Sequence, residues 1–194
     1  SAGSGVIQSV AIGANALTSY TTGANNTAVG YNALTAATSG GNVAVGDRTL
    51  AANTSGTNNV AVGSATLLNN VSGTYNVGVG SASLLSNTGS SNTALGGLAL
   101  QNNTTASNNT AVGYQAAYSN TTGEYSTMVG WAAGYANTTG SIEAFGAGAL
   151  DANTTGTFNA AFGRSALTSN TTGNNNVAIG YASLLLNTTA SNNT

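Results

Sequence analysis

Eleven glycines, Gly13, Gly30, Gly46, Gly63, Gly80, Gly96, Gly113, Gly130, Gly146, Gly163 and Gly180, recur at intervals of 17, 16, 17, 17, 16, 17, 17, 16, 17 and 17 residues. Each closes a segment of the type SVAIG, NTAVG or NVAVG. A unit this short cannot be a self-sufficient domain, and it reads as one rung of a stacked, quasi-one-dimensional solenoid. The expectation is an all-β parallel β-solenoid, or β-roll, of about eleven coils of 16–17 residues. Residues 1–8 form an off-pattern lead-in and 9–194 the repeat. The closing SNNT at 191–194 repeats the lead-in of the unit at 107–113 and stops before AVG, so the repeat is expected to continue beyond the chain given.

Aligned on the glycine, the chain resolves into columns. Ile12, Val29, Val45, Val62, Val79, Leu95, Val112, Val129, Phe145, Phe162 and Ile179 immediately precede it, and two residues earlier stand Val10, Thr27, Val43, Val60, Val77, Thr93, Thr110, Thr127, Glu143, Ala160 and Val177. Side chains alternate along a strand, so these two columns share one face, and β-branched residues suit a pleated, half-buried surface. The column between them, Ala11, Ala28, Ala44, Ala61, Gly78, Ala94, Ala111, Ala144, Ala161 and Ala178 with Met128 as its exception, must point the other way. Either the monomer restricts size there, or a neighbouring chain approaches closely. The second reading is preferred, which makes the Ala column the expected contact between chains.

Beyond the glycine comes a Leu column, Leu17, Leu34, Leu50, Leu67, Leu84, Leu100, Leu150, Leu167 and Leu184, broken at Ala117 and Gly134. It predicts a second strand or extended segment facing the first. The coil then turns through NTTG or a relative, as at 120–123, 137–140, 153–156 and 170–173. Asn and Thr bond nearby backbone in turns, and Gly supplies positive φ. Asn26, Asn42, Asn59, Asn76, Asn92, Asn109, Asn159 and Asn176 before the strand, and Asn53, Asn70, Asn87, Asn103, Asn120, Asn137, Asn153, Asn170 and Asn187 in the turn, are placed to bond one another up the stack. Several fall in N-x-S/T sequons, which the needs of a turn explain without glycosylation.

Composition narrows the function. The chain has no Cys, His, Lys or Pro, and its charges are Arg48, Arg164, Asp47, Glu124, Glu143 and Asp151. Two cations cannot track a phosphate backbone or make a basic membrane-binding face. No stretch approaches the roughly 18 apolar residues of a membrane span. Low charge with many Asn, Thr, Ser and Gly can signal disorder, but the strict period argues for order. The usual general bases and activated nucleophiles are missing, and the turns carry no Asp for calcium, so no catalytic residue, metal or cofactor is expected.

The residue after the glycine varies freely, as in Tyr31, Asp47, Ser64, Tyr114, Trp131, Arg164 and Tyr181, which implies exposure. Tyr114 and Trp131 are expected to stack in adjacent rungs, with Tyr118 and Tyr135 nearby in another column. These four are the candidate recognition residues, because aromatic rows present large rigid surface to sugars or proteins. The competing reading is repacking: those rungs lose Leu at Ala117 and Gly134, and Tyr118, Tyr135, Met128 or Phe145 can refill the volume.

The motifs carry a resemblance. SVAIG at 9–13, NVAIG at 176–180 and NNTAVGYNAL at 25–34 resemble the head repeats of trimeric autotransporter adhesins and repeats of phage tail fibres and bacterial surface fibres. The resemblance implies a left-handed parallel β-roll, three chains side by side in a homotrimeric rod, and an extracellular adhesive role on a cell surface or virion with a cell-surface glycan or protein as receptor. A core this thin also favours lateral association. Two other classes compete: an ice-binding solenoid, because Thr21, Thr38, Thr54, Thr88, Thr104, Thr121, Thr138, Thr154, Thr171 and Thr188 form a column, and a self-polymerising extracellular filament. Finally, the short intervals before Gly46, Gly96 and Gly146 are expected to lose their residue between turn and Asn column, at Gly41, Ser91 and Ser141, without shifting the strands.

Overall fold

Each NTAVG-type segment forms one short strand, and consecutive strands lie side by side. The computed structural model describes residues 8–19 and 23–194. Most of the lead-in and Thr21 of the turn column therefore lie outside the described residues. Eleven strands, from β1 (Val10–Ile12) to β11 (Val177–Ile179), form a single parallel sheet in chain order. Register follows the glycine clock: Val43 pairs with Val60, Ala44 with Ala61 and Val45 with Val62. The chain is a parallel β-solenoid with no helix among the described residues.

The glycine is required by geometry as well as rhythm. Gly63 has φ of 130°, and a Cβ there would lie 2.8 Å from the carbonyl carbon of Gly80 in the next coil. Any side chain would meet backbone that cannot move without shearing the stack.

The faces of the strand are the reverse of the expectation. Ala28, Ala44, Ala61, Ala94, Ala111, Ala144 and Ala161 are fully buried inside their own chain, packed in one core with Leu34, Leu50, Leu67, Leu84, Leu100, Leu150 and Leu167. The β-branched columns point outward, so Val62, Val77, Leu95 and Phe162 are exposed. The Ala column is therefore the inner wall and not a contact between chains. The reason is width: the Leu wall opposite already fills the narrow interior, leaving room only for Ala. Where Leu gives way to Gly134 in the same coil, Ala gives way to Met128, whose Sδ takes the space where a Cβ on Gly134 would stand, with Ile142 Cδ1 3.2 Å from that point. Met128 and Ile142 thus refill the lost Leu volume, while Tyr118, Tyr135 and Phe145 remain outside the buried core.

The second side is not a strand. Leu34, Leu50, Leu67, Leu84, Leu100, Leu150 and Leu167 all have φ between 50° and 52°, and the residues two positions before them lie between 50° and 65°. Alternation through the left-handed region breaks the pleat, and the segment runs as successive turns bonded coil to coil, for example Leu50 N to Thr66 O at 3.1 Å and Leu67 N to Ser83 O at 3.0 Å. Left-handed backbone disfavours Leu intrinsically. Burial and the coil-to-coil bonds hold it there.

Two buried Asn ladders occupy the corners. In the turn, Asn120 Nδ2 donates to Asn103 Oδ1 at 2.8 Å and to Gly123 O at 3.0 Å, and Asn137 repeats the pattern onto Asn120 and Gly140. Before the strand, Asn59 N donates to Asn42 Oδ1 at 3.0 Å and Asn59 Nδ2 to Gly73 O at 2.8 Å. The sequon residues Asn53, Asn120, Asn137, Asn153 and Asn170 are fully buried, so their amides hold the stack and are closed to modification in the folded chain.

The short coils keep their strands in register, since Thr27 pairs with Val43, Val77 with Thr93 and Thr127 with Glu143. The missing residue does not come from one place, however. In the coil closing at Gly96 it is lost inside the turn, because Asn87 Nδ2 reaches Gly89 O two residues on, where Asn70 reaches Gly73 three residues on. In the coil closing at Gly46, Ser39 O takes the role of that glycine carbonyl and accepts from Asn26 Nδ2 at 2.8 Å. Only the coil closing at Gly146 loses it after the turn, where Ser141 alone separates Gly140 from Ile142. All three losses fall at one corner, where the backbone lies outside the sheet and absorbs them.

Candidate functional site

Two surfaces stand out. The first is the outward face of the sheet, carrying the two β-branched columns along its full length with Glu143 as its single charged residue. Phe145 and Phe162 stack on this face with centroids 4.9 Å apart and planes 6° from parallel. Burial among these neighbours raises the Glu143 carboxyl above its ordinary value. A file of apolar side chains of this length, left outside the chain's own core, marks a surface made for contact.

The second surface lies on the other side of the coil. The position after each glycine and the position four residues later both point outward, so Tyr114, Trp131, Ala147 and Arg164 run beside Tyr118, Tyr135, Asp151 and Thr168. Tyr118 and Tyr135 stack with centroids 5.1 Å apart and planes 7° from parallel. Tyr114 and Trp131 do not form the expected stack. The Tyr114 ring leans back toward Gly97, its Cδ2 3.6 Å from where a Cβ on that glycine would stand, while Trp131 borders a notch on its other side. Of the four residues expected from sequence, two stack as a pair and Trp131 becomes a wall.

That notch has a volume of about 360 Å³ and lies between Trp131 and Arg164, over Ala147 and Gly148 and beside Asp151. Burial raises the Asp151 carboxyl above its ordinary value, offset in part by a hydrogen bond from the Ala152 backbone. The Thr168 hydroxyl donates to Gly148 O at 3.0 Å and closes one side. The sequence signal was present: Ala147 interrupts the column that holds Trp131 and Arg164 on either side, with Gly148 beside it. Three further exposed aromatics, Tyr75, Tyr125 and Phe158, occupy the corner before the strand, three and two coils apart and so not in adjacent coils.

Among the described residues no cluster of three His, Cys, Asp or Glu could hold a metal, and no helix is long and apolar enough to cross a membrane. The turn Thr column spends its hydroxyl protons along the stack: Thr104 Oγ1 donates to Thr121 O at 2.9 Å, and Thr121, Thr138 and Thr154 donate likewise to Thr138, Thr154 and Thr171. Comparison of the chain with protein-family models, with curated proteins and with solved structures returned no match.

Proposed function

We propose that this chain is a structural and adhesive segment of an extracellular fibre, assembled as a homotrimer whose members meet through the outward faces of their sheets. The observation that carries the reading is the outward stripe of the sheet, a file of apolar side chains beside a file of Val and Thr with Glu143 as its one charge, on a chain whose interior is already filled by its own Ala and Leu columns. Burying that stripe against two copies supplies each chain with the second apolar layer that its thin core lacks. The turn-rich opposite side, which carries Asp47, Arg48, Asp151 and Arg164, then faces outward, where a fibre on a cell surface or virion would display it to a glycan or protein receptor. The segment acts by extending and presenting surface and performs no chemical transformation.

Sedimentation of the purified chain tests this. The expected species has three times the 18.7 kDa mass of the chain and a frictional ratio of an elongated particle. A stable, monodisperse monomer at micromolar concentration would overturn it.

A further inference from the structure

We propose that the notch between Trp131 and Arg164 binds one pyranose ring of a neutral saccharide, its apolar face against the Trp131 indole and its hydroxyls shared between Asp151 and Arg164. This deepens the adhesive reading and rests on it for biological use, though the site itself is complete within one chain.

The notch is not a by-product of the fold. Its two walls stand two coils apart, about 10 Å at the usual strand spacing. Its floor is the coil that places the small pair Ala147 and Gly148 between Trp131 and Arg164; the small pairs Ser64–Ala65 and Ser81–Ala82 lack such walls on both sides, and Asn32, Arg48, Leu98 and Gln115 put bulk in the column of Gly148. Those four take the same left-handed backbone with φ between 50° and 61°, so the conformation does not demand glycine. Nor does packing, since a Cβ on Gly148 would meet only Ser165 Oγ, at 3.9 Å. The space is therefore one that backbone and packing would let a larger residue fill, and that two small residues leave open between tall walls.

Its chemistry matches a polyol with one apolar face. Trp131 is 59% exposed and presents the large rigid surface on which the axial C–H groups of a sugar pack. Asp151 and Arg164 are two of only six charged residues in the chain, and neither forms an ion pair among the described residues. A half-buried carboxylate accepts hydrogen bonds from vicinal hydroxyls, and a guanidinium donates to a hydroxyl or ring oxygen. Opposite charges on one notch select a ligand without net charge, because an added carboxylate or sulfate would face Asp151. Ligand sites of this kind combine an apolar wall with a few convergent polar groups. The notch opens on the turn side of the coil, so copies covering the sheet face leave it accessible. A trimer would then carry three equivalent notches, which gives a multivalent saccharide avidity beyond the single site.

Trp131 is the only Trp in the chain, so its fluorescence reads the notch directly. The experiment titrates the purified protein with a panel of neutral hexose and N-acetylhexosamine oligosaccharides into the millimolar range, alongside uronate and sulfated counterparts and short neutral peptides. The expected result is a saturable change in Trp131 emission with at least one neutral saccharide. Asp151→Asn and Arg164→Gln should each weaken it by about tenfold or more, and Ala147→Tyr should abolish it by filling the notch. Tyr in that column is accommodated in three other coils, so circular dichroism and sedimentation should be unchanged. No response to any neutral saccharide, a response only to acidic sugars or to peptides, or a response that survives Ala147→Tyr would each overturn the proposal. Sedimentation separates it from the reading beneath it: a trimer without saccharide response sinks the notch alone, and a saccharide-binding monomer sinks the trimer alone.

Discussion

At the scale of single residues, the interior works by complementary volume. One wall offers Ala and the other Leu, and the pair Met128 and Gly134 shows the rule inverted within one coil. Met128→Ala alone should open a cavity costing about 2–5 kcal/mol. Gly134→Leu alone should overpack against Met128 and Ile142 at about 1–3 kcal/mol. Together they restore the Ala and Leu pair, so the double variant should be more stable than either single one in urea unfolding. Additive losses would show that the two positions do not share a space. The same rule explains what a linear reading missed. Alternation identified two faces on each strand, and ordinary hydrophobic ranking put Val and Ile inside. Only the summed volume of opposite walls reveals that Leu leaves room for Ala and nothing larger.

At the scale of elements, sheet and turns hold the stack by different means. The sheet supplies short backbone ladders, and the corners supply buried amide ladders whose every member bonds to the coils beside it. Removing one amide strands its neighbours: in Asn120→Ala the Asn103 Oδ1 loses its 2.8 Å donor and the Asn137 Nδ2 its acceptor at 3.1 Å. Each such orphan costs about 1–3 kcal/mol, so the transition temperature should fall clearly and amide exchange should quicken in the coils closing at Gly113, Gly130 and Gly146. Thr121→Ala, which removes a partly exposed hydroxyl bond, should cost much less. Equal losses would mean that the ladder contributes no more than any surface bond. The ladders were legible in the sequence because Asn columns at fixed phase have few other uses. The turn-like second side was not, since nothing in a Leu column announces φ near 50°. The notch was hidden for a related reason: Asp151 and Trp131 share a surface only once the positions one and five after the glycine are known to point the same way.

At the scale of the whole molecule, the chain is a rod with two unlike sides. One is a flat apolar sheet face, with Val45, Val62, Val79, Val112 and Val129 in a single file; the other is a polar turn surface bearing the aromatic pair and the notch. That division is the central claim, since it assigns assembly to the first side and recognition to the second. The absence of native Cys permits a direct test by single cysteines. Around a threefold axis equal residues of the sheet face approach one another, and a disulfide forms where Cα atoms come within about 4.4–6.8 Å. Mild oxidation of Val62→Cys should therefore give covalent dimers on a denaturing gel. Ser64→Cys, two residues further along and outside the sheet, should stay monomeric. Cross-linking at Ser64 with none at Val62, or none at either in a chain that sediments as a monomer, would contradict the account.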